Sequence, residues 1–283
     1  MPDFPIIDTH VHLWDQNVLS YPGLEGNEKL NRPYLPADFD IACGNVQVEK
    51  IVFLEVDVPR EESLAEARWV ASLARQDRRI EGIVAGAALE DETTVRSILE
   101  KLKEISLIKG IRRITQGEPD VAFCLRPNFV KGVQMLAEFD FSCDLCIHHP
   151  QLKNTVQLVK QCPQVRFILD HIGKPGIKNG ILEPWKTELV ELARLPNVVC
   201  KVSGVATEAD HESWTWDDVR PYLDHVFETF GFDRVVYGGD WPVASLATEI
   251  PRWVETIDRV IEGASPDEKR KLYRDNAIDF YRL

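Results

Sequence analysis

The sequence predicts one (β/α)8 barrel of the TIM type, regular or distorted, forming a single domain over residues 1–283. Three observations carry that expectation. Eight short apolar runs rich in Ile and Val recur along the chain, each beginning 24 to 45 residues after the one before. The runs are nearly continuous rather than alternating in polarity, which suits parallel strands covered on both faces. The stretches between them set apolar residues at helical spacing. Eight strand–helix repeats in a chain of this length point to a barrel. A doubly wound open sheet is the competing arrangement, but no glycine-rich phosphate turn follows any run.

The apolar runs lie at 5–11, 50–56, 80–87, 108–114, 141–147, 165–169, 197–202 and 234–237. Between them, 61–76 places Leu64, Ala67, Val70, Ala71 and Ala74 on one helical face. The segment 91–104 opens with acidic residues and continues with Val95, Ile98, Leu99 and Leu102. Segments 127–139, 151–161, 184–195 and 216–230 read the same way. Ser265-Pro266-Asp267-Glu268 is a helix start, with a capping serine, proline at the first position and Glu three after the cap. That helix runs through Leu272 and Tyr273, and a second short one closes the chain at 276–281. No linker or low-complexity segment interrupts the pattern. The longest irregular piece, 14–36, contains Pro22, Gly23, Gly26, Pro33 and Pro36. A piece that long is usually functional, and after the first strand it would hang over the barrel mouth.

Composition narrows the function classes. The net charge of −13 and the single short basic run Lys269-Arg270-Lys271 argue against nucleic acid as a partner. No stretch is long and apolar enough to span a membrane, and the N-terminus carries no basic or long apolar leader. Six cysteines are too few for a secreted disulfide scaffold, so a reduced, cytoplasmic protein is expected. Cys143 and Cys146 form a CxxC inside an apolar run. On a strand, residues three apart point to opposite faces and cannot chelate one ion.

In a barrel, chemistry sits at the carboxyl ends of the strands. The first run ends in Asp8-Thr9-His10-Val11-His12, where His10 and His12 share a face and suit a divalent metal; two solvated histidines are the structural alternative. The eighth ends in Gly238-Gly239-Asp240, a carboxylate able to bind a metal or to take a proton from water, if it is not a helix cap. The sixth ends in Asp170-His171, adjacent and therefore expected to point apart, with His171 a ligand or an electrophile. In the seventh, Lys201 and Ser203 share a face, and Lys201 is expected to meet an anion or a substrate oxygen. The fourth carries Arg112 and Arg113, one facing in to hold hydroxyls or a carboxylate. The fifth ends in His148-His149, again one in and one out, with His148 taken as the substrate contact. Glu55 and Asp57 on the second run are further metal candidates, Glu55 the one carried forward. For each of these an ordinary ion pair or hydrogen bond is the structural alternative. His211 and His225 carry weaker signals.

With these residues in place, the chain resembles the amidohydrolase superfamily, in its "amidohydrolase 2" branch of sugar-lactonase-like proteins. The matching pieces are Asp8 to Asp15, Lys109-Gly110-Ile111-Arg112, Asp170-His171-Ile172-Gly173-Lys174-Pro175, Lys201-Val202-Ser203-Gly204, Gly239-Asp240-Trp241-Pro242 and the closing residues Asn276 to Leu283. The resemblance covers almost the whole chain, and its sixth- and eighth-strand motifs are the specific ones. It implies a distorted barrel and hydrolysis of fucono-, rhamnono- or galactono-lactones, or of pyrone dicarboxylate lactones. It casts His10 and His12 as metal-binding or carbonyl-facing, places His171 near the carbonyl and makes Asp240 the group that activates water. Arg112 and Lys201 would then hold the substrate's polar groups, and Trp14, Trp241 and Tyr21 would stack on a sugar ring.

One departure matters. Many binuclear relatives carry a carboxylated lysine on the fourth strand, where this chain has Arg112-Arg113-Ile114-Thr115. The expectation is therefore one divalent ion, zinc by ligand type, or none. The partner is a small lactone or sugar acid; homo-oligomerisation is left open. The alternatives are a metal-dependent decarboxylase of an aromatic or muconate-type acid and a non-catalytic barrel that binds a sugar acid.

Overall fold

The computed structural model describes all 283 residues. The eight apolar runs become eight parallel strands in sequential order, β1 (Ile6–Val11), β2 (Val48–Leu54), β3 (Ile80–Gly86), β4 (Ile108–Arg112), β5 (Ser142–Leu145), β6 (Phe167–Leu169), β7 (Val198–Val202) and β8 (Val235–Tyr237). Apart from the first residues of β2 and single positions elsewhere, both faces of every strand are buried. That burial is why continuous apolar runs, not alternating ones, encode them.

Ten α-helices accompany the strands: α1 (Pro36–Cys43), α2 (Ser63–Leu73), α3 (Val95–Lys103), α4 (Pro127–Met135), α5 (Leu152–Gln161), α6 (Trp185–Ala193), α7 (Trp216–Phe230), α8 (Ile250–Val260), α9 (Pro266–Arg270) and α10 (Asn276–Tyr281). Ser265 caps α9, its Oγ accepting from the Glu268 N–H. Two helices were not expected. α1 leaves Ile41 exposed and shows no clean apolar face. α8 does carry a signal, with Pro251 in its first turn and Ile250, Trp253, Val254 and Ile257 buried on one side. None of the helices is long and apolar enough to cross a membrane. All six cysteines are buried and free.

The sheet does not close by a regular ladder. β8 and β1 meet through one parallel bridge, Val11 to Trp241, at their carboxyl ends. There the Asp240 N–H donates to the His10 carbonyl and the His12 N–H donates to the Trp241 carbonyl, both at 2.8 Å. One Asp8 carboxylate oxygen reinforces the join, accepting from Gly239 N–H at 2.7 Å and His10 N–H at 3.0 Å. At the opposite end, α10 plugs the barrel: Ala277, Phe280 and Tyr281 pack against inward residues Ile7, Val52, Leu54, Val84, Ile168 and Val236. Carbonyls of the last turn are held by Lys109, which donates to Arg282 O, and Arg166, which donates to Phe280 O.

Four tryptophans fasten loops at the functional end, each donating its indole N–H to a main-chain carbonyl. Trp185 bonds Ile172, Trp214 bonds Ala247, Trp253 bonds Gly238, and Trp14 reaches both Leu30 and Arg32. Trp14 also exchanges backbone hydrogen bonds with Tyr34. It is wholly buried, so it anchors the loop after β1 and does not stack on a ligand, contrary to the sequence expectation. The loop between these anchors faces His211, Glu212 and Leu246 across a surface groove.

The Trp14→Phe variant should loosen this loop while keeping the ring's packing. Removing donors to two carbonyls costs about 1–2 kcal/mol. Limited proteolysis should then cut within 15–33 markedly faster than in the parent; an unchanged cleavage rate would show that the indole N–H does not anchor the loop.

Candidate functional site

Four side chains converge at the carboxyl ends of β1, β6 and β8. His10 and His12 bring their Nε2 atoms within 3.2 Å of each other. Asp240 approaches from the turn after β8, its Oδ1 3.5 Å from His10 Nε2 and 3.6 Å from His12 Nε2. His171 completes the group, its Nε2 4.0 Å from the same oxygen. All four are buried.

The backbone is bent to achieve this. His171 and Asp240 sit at φ 53° and 56°, left-handed conformations that cost non-glycine residues energy and tend to cluster at functional sites. β6 ends at Leu169, and residues 170–173 form a tight turn in which His171 and Ile172 are both left-handed. That turn overturns the expectation that Asp170 and His171 point apart: both side chains are buried beside His10. Gly204 makes room for them. A Cβ there would lie 2.3 Å from His171 Nδ1 and 2.9 Å from Asp240 Oδ2.

Outer contacts set the rings. His12 Nδ1 donates to the Leu54 carbonyl at 2.9 Å, which turns its Nε2 to the centre. Ser203 Oγ stands 2.9 Å from His171 Nδ1. His10 Nδ1 faces Asp170 Oδ1 at 3.6 Å and has no hydrogen-bond partner. Burial holds the His10 ring well below the usual imidazole range and pushes His171 down to about 4, which leaves both rings neutral at neutral pH. Burial opposes ionisation of Asp240, but the facing imidazoles outweigh it and hold the carboxyl well below its ordinary range.

Beneath this group lies a charged layer. Arg112 donates from Nε to Glu55 Oε1 at 2.7 Å, from Nη2 to the Glu55 carbonyl at 2.6 Å, and from Nη1 to Asp170 Oδ2 at 3.2 Å. Lys201 Nζ stands 2.8 Å from Asp170 Oδ1 and 3.0 Å from Asp144 Oδ2. A cleft of about 250 Å³ opens beside Arg112 and Glu55, walled by Asp57, Arg60, Ser63, Arg113 and Glu118.

Several expected contacts are redirected. Lys201 is sealed inside the barrel between two carboxylates and does not reach the mouth. Arg112 is the inward member of its pair, as Arg113 turns to Glu90 and Glu118, but its guanidinium is engaged by Glu55 and Asp170 and reaches His10 Nε2 at 3.3 Å. Glu55 is accordingly its counter-ion, also accepting from Asp57 N–H, and is absent from the convergent donor groups. Trp241 packs edge-to-face on Tyr34 and Phe39, so its ring is engaged by aromatic neighbours rather than offered as an open stacking face. Tyr21 is buried within the loop. His148 lies exposed at the rim, and His149 is half-buried near Gly176. Asp144, Lys174 and Glu208 were overlooked. Asp144 had a signal, as the one charge inside the apolar run 141–147. Lys174 and Glu208, 3.9 Å apart at the mouth, are brought together only by the fold.

The donor set fits a divalent metal. His10, His12 and Asp240 offer atoms within 4.8 Å of one another, as do His10, Asp170 and His171. Two imidazole nitrogens 3.2 Å apart, backed by a carboxylate, are the donors a dication takes. Four buried acidic side chains here, Glu55, Asp144, Asp170 and Asp240, face only two fixed cations, Arg112 and Lys201. A dication would balance that excess.

A family profile described as "Amidohydrolase" matches residues 7–283. The chain is 29% identical to an L-fucono-1,5-lactonase of Burkholderia multivorans, covering 98% of this chain and 96% of that one. It is 24% identical to an L-rhamnono-gamma-lactonase of Scheffersomyces stipitis over the full length of both. A crystal structure of an amidohydrolase from Burkholderia multivorans with bound zinc superposes with a TM-score of 0.88, at 28% identity, covering 99% of this chain and all of the other.

Burial raises the Asp8 carboxyl to about 7, against the two backbone N–H groups it accepts. The folded protein therefore keeps a proton that the unfolded chain releases near pH 4, and stability falls as pH rises from about 4 to 7. In Asp8→Asn, whose amide oxygen can accept the same two bonds, that decline should vanish. Urea midpoints of chelator-treated parent and variant at pH 4.5, 6 and 7.5 test this; parallel pH dependences would mean Asp8 is ionised in the fold.

Proposed function

This chain belongs to the amidohydrolase family, and on that premise we propose that it is a hydrolase opening small lactones, specifically aldono-1,4- or 1,5-lactones. The observation that carries the reading is the convergence of three imidazoles on one buried carboxyl group at the barrel mouth. The similar fucono- and rhamnonolactonases support it.

Asp240 is assigned as the general base. Its Oδ1 faces the histidines, while its Oδ2 lies on the Gly204 side, so one oxygen can be held and the other can take a proton. In the proposed reaction Asp240 removes a proton from water as the water oxygen attacks the lactone carbonyl. The ring C–O bond then breaks, and Asp240 returns the proton to the departing ring oxygen. His171 is placed to donate to, or orient, the carbonyl oxygen. We assign zinc to His10, His12 and Asp240 because imidazole and carboxylate donors suit it and the similar Burkholderia protein carries it. When bound, that ion would polarise the carbonyl as a Lewis acid.

The arginines beside the site favour a neutral, hydroxylated substrate over a dicarboxylate. Arg112 is paired with Glu55 and Asp170, Arg113 with Glu90 and Glu118, and Arg60 with Glu90. With each guanidinium already facing a carboxylate, the cleft presents paired charges that suit hydroxyl groups better than a second carboxylate. The six free thiols suit a reducing, cytoplasmic setting.

A pH-indicator screen of aldono-1,4- and 1,5-lactones, with and without zinc after chelation, tests the assignment. Asp240→Asn should lower kcat by about 10²–10⁴-fold while the protein stays folded; full activity in that variant would remove Asp240 from its role. Gly204→Ala should push His171 and Asp240 apart and cost roughly 10²-fold. If no aldonolactone is opened while an aromatic acid is decarboxylated, the reading is wrong.

A further inference from the structure

We propose that Lys201 and Tyr281 are positioning residues: from the barrel floor they hold Asp170 against His10, so the aim of the active-site ring depends on docking of the chain's last helical turn. This rests on His10 belonging to the functional site.

The connection is a run of buried side chains. Tyr281, in α10, donates its hydroxyl to Asp144 Oδ2 at 2.8 Å. The same oxygen is 3.0 Å from Lys201 Nζ, and that ammonium is 2.8 Å from Asp170 Oδ1. Asp170 Oδ1 in turn faces His10 Nδ1 at 3.6 Å. None of these residues exceeds 1% exposure, so none of the contacts is weakened by solvent. The Lys201 ammonium also lies 5.7 Å from the Tyr281 ring centroid, so the tyrosine meets it with its ring and, through Asp144, with its hydroxyl.

The chemistry of the histidine gives this run a purpose. His10 Nε2 faces His12, Asp240 and, at 3.3 Å, Arg112 Nη1, whereas its Nδ1 has one carboxylate opposite and nothing else. A carboxylate at Nδ1 favours the tautomer that keeps the proton there and turns the Nε2 lone pair to the centre. Asp170 can do this only if it does not swing fully to its other cation, Arg112, 3.2 Å from Oδ2. Lys201 supplies the opposing pull. Lys201 needs its own second anion, Asp144, and Asp144 in turn takes its remaining donor from Tyr281. The terminal segment is docked independently, by Lys109 and Arg166 on its carbonyls and by Arg282 donating to the Asp140 carbonyl at 2.7 Å. The Tyr281 hydroxyl can therefore be removed without undocking the helix.

The test is Tyr281→Phe, which keeps the ring and deletes one donor, in protein with selectively labelled histidines. In the chelator-treated protein the imidazole ¹⁵N signals of His10, assigned through His10→Gln, should move toward a mixture of tautomers while those of His211 and His225 stay fixed. Zinc affinity, read by competition with a chromophoric chelator, should weaken by about tenfold or more. On a hydrolysed lactone, kcat should fall by a similar factor with KM within about twofold. The double variant Lys201→Met/Asp144→Asn, which removes a charge pair together, should shift the His10 signals further. A Tyr281→Phe protein with a lowered Tm but unchanged His10 signals and zinc affinity would overturn the proposal and leave Tyr281 a packing residue. Because two readouts need no substrate, failure of the lactonase reading would not be mistaken for failure of this one.

Discussion

The paired main-chain hydrogen bonds between His10 and Asp240 and between His12 and Trp241 are what the site is built on. They close the barrel where β8 and β1 have no regular ladder, and they set the ends of those strands side by side in one register. A slip of one residue would turn every side chain to the other face. Closure and site assembly are therefore one event: the contact that completes the sheet also sets two imidazoles against a carboxylate. Asp8 strengthens it by bridging both strands with one carboxyl oxygen, and the absence of a side chain at Gly239 leaves that carboxyl its space, since a Cβ there would lie 2.4 Å from Asp8 Oδ2.

Along its axis the interior is graded. The floor is apolar, sealed by α10. Above it sits a layer in which Arg112 and Lys201 bind Glu55, Asp144 and Asp170, and above that the histidines and Asp240. Buried charges are tolerated only when paired, and breaking one pair strands its partner at a cost of several kcal/mol. The middle layer thus has few alternative arrangements, and rigidity there is passed up to the imidazoles. The loops above are fixed differently, by indole N–H groups on carbonyls, which spend a tryptophan's one polar atom on backbone and leave its ring in the core.

Much of this was visible in the residue pattern. Seven of the eight strands fall inside the apolar runs, because a strand buried on both faces has to be apolar throughout, whereas β2 begins two residues ahead of its run, at the half-buried Val48 and Glu49. Most helices followed from their spacing, whereas α1 did not, because its exposed Ile41 hides the periodicity. Placing His10, His12, His171 and Asp240 at strand ends required only the rule that barrel chemistry gathers there. Lys201, Arg112 and Glu55 were assigned to substrate or metal because alternation tells which way a side chain points, not how deep along the axis it ends. Depth depends on strand tilt and stagger, which are collective properties of the closed sheet.

The same distinction holds for the tryptophans and for Asp170. An indole in a motif looks the same whether it will stack on a ligand or pin a loop, since its partner carbonyl comes from a distant segment, as Trp253 and Gly238 or Trp185 and Ile172 show. Adjacent strand residues point apart, yet Asp170 and His171 both turn inward because the chain leaves the strand in a left-handed turn held by Trp185. Local spacing was therefore enough for the eight strands of the barrel and for the strand ends at which His10, His12, His171 and Asp240 lie, since these depend on periodicity within single elements. Which charges support the site and which residues can meet a ligand was settled by long-range packing, because burial and pairing energies belong to contacts between segments that no local pattern records.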